Sequence, residues 1–467
     1  MKTKEHHSRL YRASGMPSFA ANRKAAWTFI AAMALTLAAS VTAASPHATG
    51  ERTSIRQHWF SLDTFPEVEA EFGRLKVALA VQPQAPGPGL STRTSGTGPS
   101  GFLASYVIDN VGGRFHVYAE RQRPQHPVGP LPYVSQDVVF STPDPSVSPV
   151  GTLTYPDSGT NFPAVVLVAG TGPHTRDAGM SLHKTLAVLA DHFTRQGYAV
   201  LRYDKRGVGL TGGALHPGST TKDYAADALA AVRFLKIQPN IDPSRIGLVG
   251  HSEGGIIAAM VAAEAPQDVG FIVMLAGTGL PGIDNQTLQG GAYARAEGVP
   301  EPLILLNQKL ERVLLGIAVS NLPHQDALNA MQMATQKLPD QEKKTLEMPA
   351  QGLPAEAFES SLSPWFRHFL ALDPREHLEN VKCPVLALVG EKDLQVPPAE
   401  NLEGIRLALE RGKNPRATVL QLPGINHNLQ TARTGKLSEY LLIEETVDPS
   451  VLALMSKWMK DITGGTN

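Results

Sequence analysis

From residue 134 onward, short apolar runs rich in β-branched residues alternate with segments long enough for helices. The runs are "DVVF", "GTLTY", "AVVLVAG", "YAVLRYD", "RIGLVG", "GFIVMLAG", "PVLALVG" and "ATVLQLP". Between them, "HKTLAVLADHFTRQ" and "TTKDYAADALAAVRFLK" carry the helical period. Continuous apolar strands separated by helices predict an α/β fold, a mostly parallel central sheet with helices on both faces. One interval breaks the rhythm. Residues 280–381, between "MLAGTG" and "CPVLALVG", are far longer than a connection and include helical patterns such as "PLILLNQKLERVLLGIAVS". A compact sheet cannot hold such an insertion, so it is predicted to sit outside as a helical cap over the strand ends.

Upstream the pattern is different. "FLASYVIDN" and "RFHVYAERQ" read as strands around Gly112-Gly113, within a small β-rich accessory domain expected over residues 50–122. Inside it, residues 83–101 are dominated by Pro, Gly, Ser and Thr, which cannot bury a core and predict a mobile loop. A second proline-rich stretch, "RPQHPVGPLP", marks a linker over 123–133, leaving the main domain at 134–465. Two folded units suit a chain of 467 residues. Arg23 and Lys24 precede an uncharged stretch from Ala25 to Ala43 that ends in small residues. This has the form of a secretory signal over residues 1–43, with an uncleaved anchor as the alternative reading. The apolar stretch is short for a membrane span, so no stable span is expected after cleavage, and the protein is expected to be periplasmic or secreted.

Charge changes the picture little. Lys+Arg 42 against Asp+Glu 43 gives a net charge of −1, and no basic run suggests a nucleic-acid partner. The single cysteine, Cys383, excludes a disulfide framework and is expected to pack in the core. The histidines show no metal-ligand spacing, and no phosphate-binding glycine loop is present, so no metal and no cofactor are expected.

The chemistry centres on "GHSEGG", residues 250–255, directly after an apolar strand and before the helical run "IIAAMVAA". A G-x-S-x-G segment in that context predicts a strained turn that lifts the Ser252 hydroxyl above the sheet, over a helix N-terminus. A serine hydroxyl needs a base. His427, in "LPGINHNLQ" after the last strand, is the one histidine beyond residue 400. The base needs an orienting acid, and Asp393 follows the strand "PVLALVG" in the loop "EKDLQV". Asp340 and Asp373 are weaker candidates, since no strand leads into either. An oxyanion site is expected from the loop "AGTGPHTRD", residues 169–177, with the Thr171 amide, or Gly172 in its place, paired with the Glu253 amide. Asp204 and Arg206 of "DKRGVG" are expected to brace the neighbouring loop, and the Glu253 carboxylate to bond nearby loops. His174, Arg176 and Asp177 lie close to the oxyanion loop, and Trp365 and Phe366 either line a cap pocket or fill the cap core.

Together, "RPQHPVGPLPY", "AGTGPHTRD", "GYAVLRYDKRGVGLTGG", "RIGLVGHSEGG", "LVGEKDLQV" and "LPGINHNLQTARTGKLSEYLLIEET" make residues 123–465 resemble bacterial α/β-hydrolases of the EstD-type carboxylesterase group. That resemblance implies an α/β-hydrolase fold and an exported serine carboxylesterase, with Ser252, Asp393 and His427 as its triad. The substrate expected is a small-molecule ester of small or medium acyl chain, cleaved through an acyl-enzyme. The alternative is a serine peptidase acting on short peptides. An aminopeptidase would need carboxylates to hold a free amine, and the cap offers Glu356, Glu359, Glu376 and Glu379. A non-catalytic envelope protein that binds a ligand on the same fold is a more remote third reading.

Overall fold

The computed structural model describes residues 92–97, 103–111, 114–121, 123–178, 183–214 and 216–464. The expected signal segment and most of the expected accessory domain lie outside the described residues.

Three strands precede the main domain: β1 (Thr92–Thr97), β2 (Leu103–Val111) and β3 (Arg114–Arg121). They form an antiparallel sheet in the order β1-β2-β3, with β2 and β3 in register from Ala104↔Arg121 to Val111↔Arg114. Of the stretch 83–101, expected to be a mobile loop, residues 92–97 form the β1 strand, and the rest lies outside the described residues. The threonine-rich run TRTSGT suits a pleated strand, and the edge of β2 offers its backbone partners from Thr92↔Ile108 to Thr97↔Leu103.

The main domain is built on eight strands: β4 (Tyr133–Val139), β5 (Val150–Pro156), β6 (Phe162–Val168), β7 (Ala199–Tyr203), β8 (Ile241–His251), β9 (Phe271–Leu275), β10 (Val385–Gly390) and β11 (Ala417–Leu422). Their order is β11-β10-β9-β8-β6-β7-β5-β4. Only β5 runs against its neighbours, pairing antiparallel with β4 and β7, while the others are parallel. Every one of the eight apolar runs became a strand of this sheet. The central strands β9 and β10 are buried at every residue, whereas edge strand β11 is largely exposed.

Strand side chains alternate between two cores, one on each face. Val166, Leu201, Leu248, Met274 and Ala387 join the larger core, and Val165, Leu167, Val249, Val273 and Leu388 join the second. Helix α1 (Thr185–Arg195) packs in the second core. Helices α2 (Thr221–Lys236) and α3 (Glu253–Glu264) pack in the larger one. Helix α2 starts on a complete capping box, Thr220 and Asp223 each accepting from the other's backbone.

Between β9 and β10 the chain leaves the sheet. It forms α4 (Gly282–Ala296), α5 (Glu301–Ala318), α6 (His324–Gln336), α7 (Asp340–Thr345), a 3-10 turn over Ala355–Leu362, α8 (Pro364–Ala371) and α9 (Pro374–Leu378). These are the expected cap. Helices α10 (Pro398–Arg411), α11 (Leu437–Tyr440) and α12 (Pro449–Thr463) complete the domain, with α12 covering the second core through Val451, Leu452, Met455 and Met459. The proline-rich stretch at 123–133 is tied down: Arg123 Nη2 donates to Leu441 O at 2.8 Å and Gln125 Nε2 to Val447 O at 2.7 Å. Cys383 is partly buried just before β10, and burial pushes its thiol up to about 12. Among the described residues no helix is long and apolar enough to cross a membrane.

Candidate active site

In an open, mostly parallel sheet the loops at the carboxyl ends of the strands share one edge, which is where such folds hold ligands. Four of those loops carry the residues singled out above. Ser252 follows β8, the 169–177 loop follows β6, Asp393 follows β10 and His427 follows β11.

Ser252 sits at φ 56° and ψ −121°, a backbone conformation that costs a non-glycine residue roughly 1–3 kcal/mol. Its neighbours explain how the turn is held. The Ser252 N–H donates to Leu275 O at 2.7 Å, and the Gly255 N–H closes the turn on Ser252 O at 2.9 Å. A side chain at Gly250 would place its Cβ 1.9 Å from Gly254 O, and one at Gly254 would lie 2.3 Å from Val168 O. Only glycine fits either place. Glu253 opens α3, so its amide is among the first N–H groups of a helix, which have no partner within the helix. The loop after β6 runs alongside: a Cβ on Gly170 would lie 3.0 Å from Ser252 Cβ.

His427 and Asp393 form a buried pair, Nδ1 to Oδ2 at 2.8 Å, with the two residues 1% and 2% exposed. The second oxygen of Asp393 accepts the amides of Gln395 and Val396, both at 2.8 Å. The carboxylate is therefore fixed by two loop amides and one imidazole. The His427 loop is knotted by its own asparagine: Asn426 Oδ1 accepts from the Asn428 and Gln430 amides at 2.9 and 3.0 Å. The turn of Ser252 is joined to this loop through its neighbour, since His251 Nε2 donates to His427 O at 2.8 Å. Burial, then the nearby His427, pushes His251 down to about 3, so its ring is neutral and a donor.

The remaining candidates divide clearly. His174 Nε2 donates to Thr171 O at 2.7 Å, and burial with the Lys205 charge pushes that imidazole down to about 4. Arg176 grips Asp204 through both its backbone and its guanidinium, and Asp177 lies 3.2 Å from Arg202. These groups are engaged with the protein. Arg206 pairs bidentately with buried Asp227 at 2.6 and 2.9 Å, so Asp204 and Arg206 brace the loop as expected. Asp373 caps α9 and pairs with Arg375, while Asp340 is exposed at the start of α7. Trp365 and Phe366 are both buried, with Trp365 stacked on Phe366 and Phe369. Among the described residues no cluster of histidine, cysteine and carboxylate could hold a metal.

One participant escaped the sequence reading. Lys205, between the two bracing residues, is buried, and its Nζ donates to Gly170 O at 2.8 Å. It also lies 3.5 Å from Glu253 Oε2 and 3.8 Å over the Tyr224 ring. The other Glu253 oxygen accepts from Thr221 Oγ1 and from Trp365 Nε1, each at 2.8 Å. Burial alone would raise the Glu253 carboxyl, but Lys205 and these donors hold it below the usual range. The signal in the sequence was only the position of Lys205 inside "DKRGVG", beside residues already read as structural.

The family model for serine aminopeptidase, S33, matches residues 164–432, more than half of the chain. The chain belongs to the serine aminopeptidase S33 family. This S33 protein is 28% identical over 313 residues to Esterase EstD of Thermotoga maritima, a match spanning 66% of its own chain and 65% of that esterase. It is 25% identical over 281 residues to the acylamino-acid-releasing enzyme of Arabidopsis thaliana, covering 60% of its own chain and 29% of the plant protein. The S33 chain thus spans less than two thirds of either relative's length. Among solved structures it is similar to the α/β-hydrolase GrgF of Penicillium sp. sh18, at 20% identity and a TM-score of 0.44, covering 71% of this chain and all of that one.

Proposed function

We propose that this S33 protein is a serine hydrolase that cleaves carboxylic esters through an acyl-enzyme on Ser252. The observation that carries the reading is the buried His427–Asp393 pair at 2.8 Å, on strand-end loops of the same sheet edge as the strained Ser252 turn. In the proposed reaction His427 takes the Ser252 proton as Oγ attacks the ester carbonyl. Asp393 holds the Nδ1–H tautomer and stabilises the imidazolium that forms. The Thr171 and Glu253 amides receive the negative oxygen. His427 then protonates the departing alcohol, and water hydrolyses the acyl-enzyme by the same steps.

The cap favours an ester over a peptide with a free amine. Glu356, Glu359 and Glu376 are exposed, Glu359 is paired with His324, and Glu379 is paired with Arg411. The similarity to Esterase EstD supports the same reading. One observation favours the second reading, an aminopeptidase. Glu311 on α5 is pushed up to about 8 by burial, and its Oε1 has no hydrogen-bond partner among the described residues. An ammonium group beside it would restore its charge.

The test is hydrolysis of p-nitrophenyl esters from acetate to palmitate, beside aminoacyl anilides, with Ser252→Ala in parallel. Ester turnover by the wild type, lost by at least about a thousandfold in folded Ser252→Ala, is the expected result. Retained turnover in that variant overturns it. Anilide cleavage that Glu311→Gln selectively abolishes would establish the aminopeptidase instead. The Arg23-Lys24 segment and the apolar run after it support export, and mass analysis of the protein from a periplasmic fraction should find a chain starting near residue 44.

A further inference from the structure

The carbonyl of Gly170 and the N–H of Thr171 belong to one planar peptide and point in opposite directions. Lys205 Nζ holds that carbonyl at 2.8 Å. The same loops are joined a second time, since the Lys205 N–H donates to His174 O at 3.1 Å. Gly170 itself abuts Ser252 so closely that a Cβ there would come within 3.0 Å of the serine Cβ. A cation gripping the carbonyl end of the peptide therefore fixes, and further polarises, the N–H at its other end.

We propose that Lys205 is a positioning residue for the oxyanion hole, aiming the Thr171 N–H through the Gly170 carbonyl, and that the cap secures it through Trp365 and Glu253. This rests on the serine hydrolase reading above. The chain of contacts is continuous. Trp365 on α8 donates to Glu253 Oε1 at 2.8 Å, Glu253 Oε2 faces Lys205 at 3.5 Å, and Lys205 reaches Gly170 O. Glu253 also supplies the second proposed oxyanion amide, so both donors are anchored by one buried network. Trp365 is further fixed by its own N–H to Pro217 O at 3.0 Å and by the His216 ring at 4.6 Å. The arrangement makes cap seating and oxyanion stabilisation one event: displacing Trp365 loosens the counterion that keeps the Lys205 ammonium in place.

The experiment compares wild type, Lys205→Met and Trp365→Phe on p-nitrophenyl acetate and in their binding of an alkyl trifluoromethyl ketone. That ketone adds to a reactive serine and leaves an oxyanion whose ionisation is visible by fluorine NMR. Removing a donor from an oxyanion hole costs roughly 100- to 1,000-fold. For Lys205→Met the expected loss is about tenfold to a hundredfold in kcat/KM, carried by kcat with KM nearly constant. Ketone affinity should fall in the same proportion, and the adduct oxyanion should protonate at higher pH. Trp365→Phe should show the same signature to a smaller degree, and it tests the idea if Lys205→Met does not fold. Wild-type ketone affinity and adduct ionisation in either folded variant overturn the proposal, even if its turnover falls. A wild type with neither ester turnover nor adduct would defeat the hydrolase reading itself, a result distinct from an active wild type whose variants are unaltered.

Discussion

At the scale of single residues, Asp393 has two jobs that one substitution separates. One oxygen accepts the Gln395 and Val396 amides, and the other accepts His427 Nδ1–H. Asp393→Asn keeps the side chain's shape and can keep the loop bonds through its carbonyl oxygen, but its NH₂ now faces His427. The imidazole must then present an unprotonated Nδ1, leaving Nε2 protonated and useless as a base. The expected outcome is a fall in kcat of about 10³- to 10⁴-fold with unchanged thermal unfolding; a fall below tenfold would show that Asp393 does not set the tautomer. The strand-end positions of Ser252, Asp393 and His427 were readable in the chain because each lies in the loop after an apolar strand, and strand ends of one sheet meet. Lys205 was not readable, because its principal partner is a backbone carbonyl that leaves no mark in the sequence. The Glu253–Trp365 bond was hidden for a related reason: 112 positions separate the pair, and only the folded cap brings them together.

At the scale of elements, the loop after β7 is pinned to α2 by Arg206 and Asp227, 7% and 2% exposed. Burial raises the Asp227 carboxyl even beside its guanidinium partner, which marks how dry the pair is. Breaking a buried pair by removing one partner typically costs about 3–5 kcal/mol. Arg206→Met should therefore lower stability by that order, read as a shift of the urea midpoint, whereas combining Arg206→Met with Asp227→Leu should recover most of it. A midpoint that Arg206→Met leaves in place would mean that the loop is held elsewhere. The elements themselves were legible where burial is two-sided, as in β6, β9, β10 and the part of β8 from Ile246 onward, whose sequences are nearly unbroken apolar runs. They were illegible where pairing alone decides. The polar TRTSGT of β1 looks like a loop until the edge of β2 is supplied, and the proline-rich 123–133 stretch looks like a free joint until Arg123 and Gln125 meet the carbonyls of Leu441 and Val447.

At the scale of the whole molecule, packing the cap and the strand-end loops together buries histidines that must stay neutral. His216 and His251 are 4% and 8% exposed, and burial pushes both down to about 3. In the unfolded chain each takes up its proton near pH 6.5. Between those values the unfolded chain binds more protons than the folded one, so stability climbs with pH across this window. The stabilisation is complete above about pH 6.5 and is lost progressively toward pH 3. Each histidine then removes about 3 kcal/mol by pH 4.5. Glu253, held below the usual carboxylate range by Lys205, acts in the same direction at still lower pH, because protonating it leaves the buried ammonium without its counterion. Urea unfolding between pH 7 and pH 4.5 should therefore show a steep loss of stability while the fold at neutral pH is firm. His216→Phe isolates one contribution: the ring contact with Trp365 at 4.6 Å can be kept, and the buried Nδ1, which has no hydrogen-bond partner among the described residues, is removed. The slope of unfolding free energy against pH between 6.5 and 4.5 should fall by close to one proton in that variant. An unaltered slope would mean that His216 takes up its proton equally in the folded and unfolded protein, and the acid lability would have to arise elsewhere.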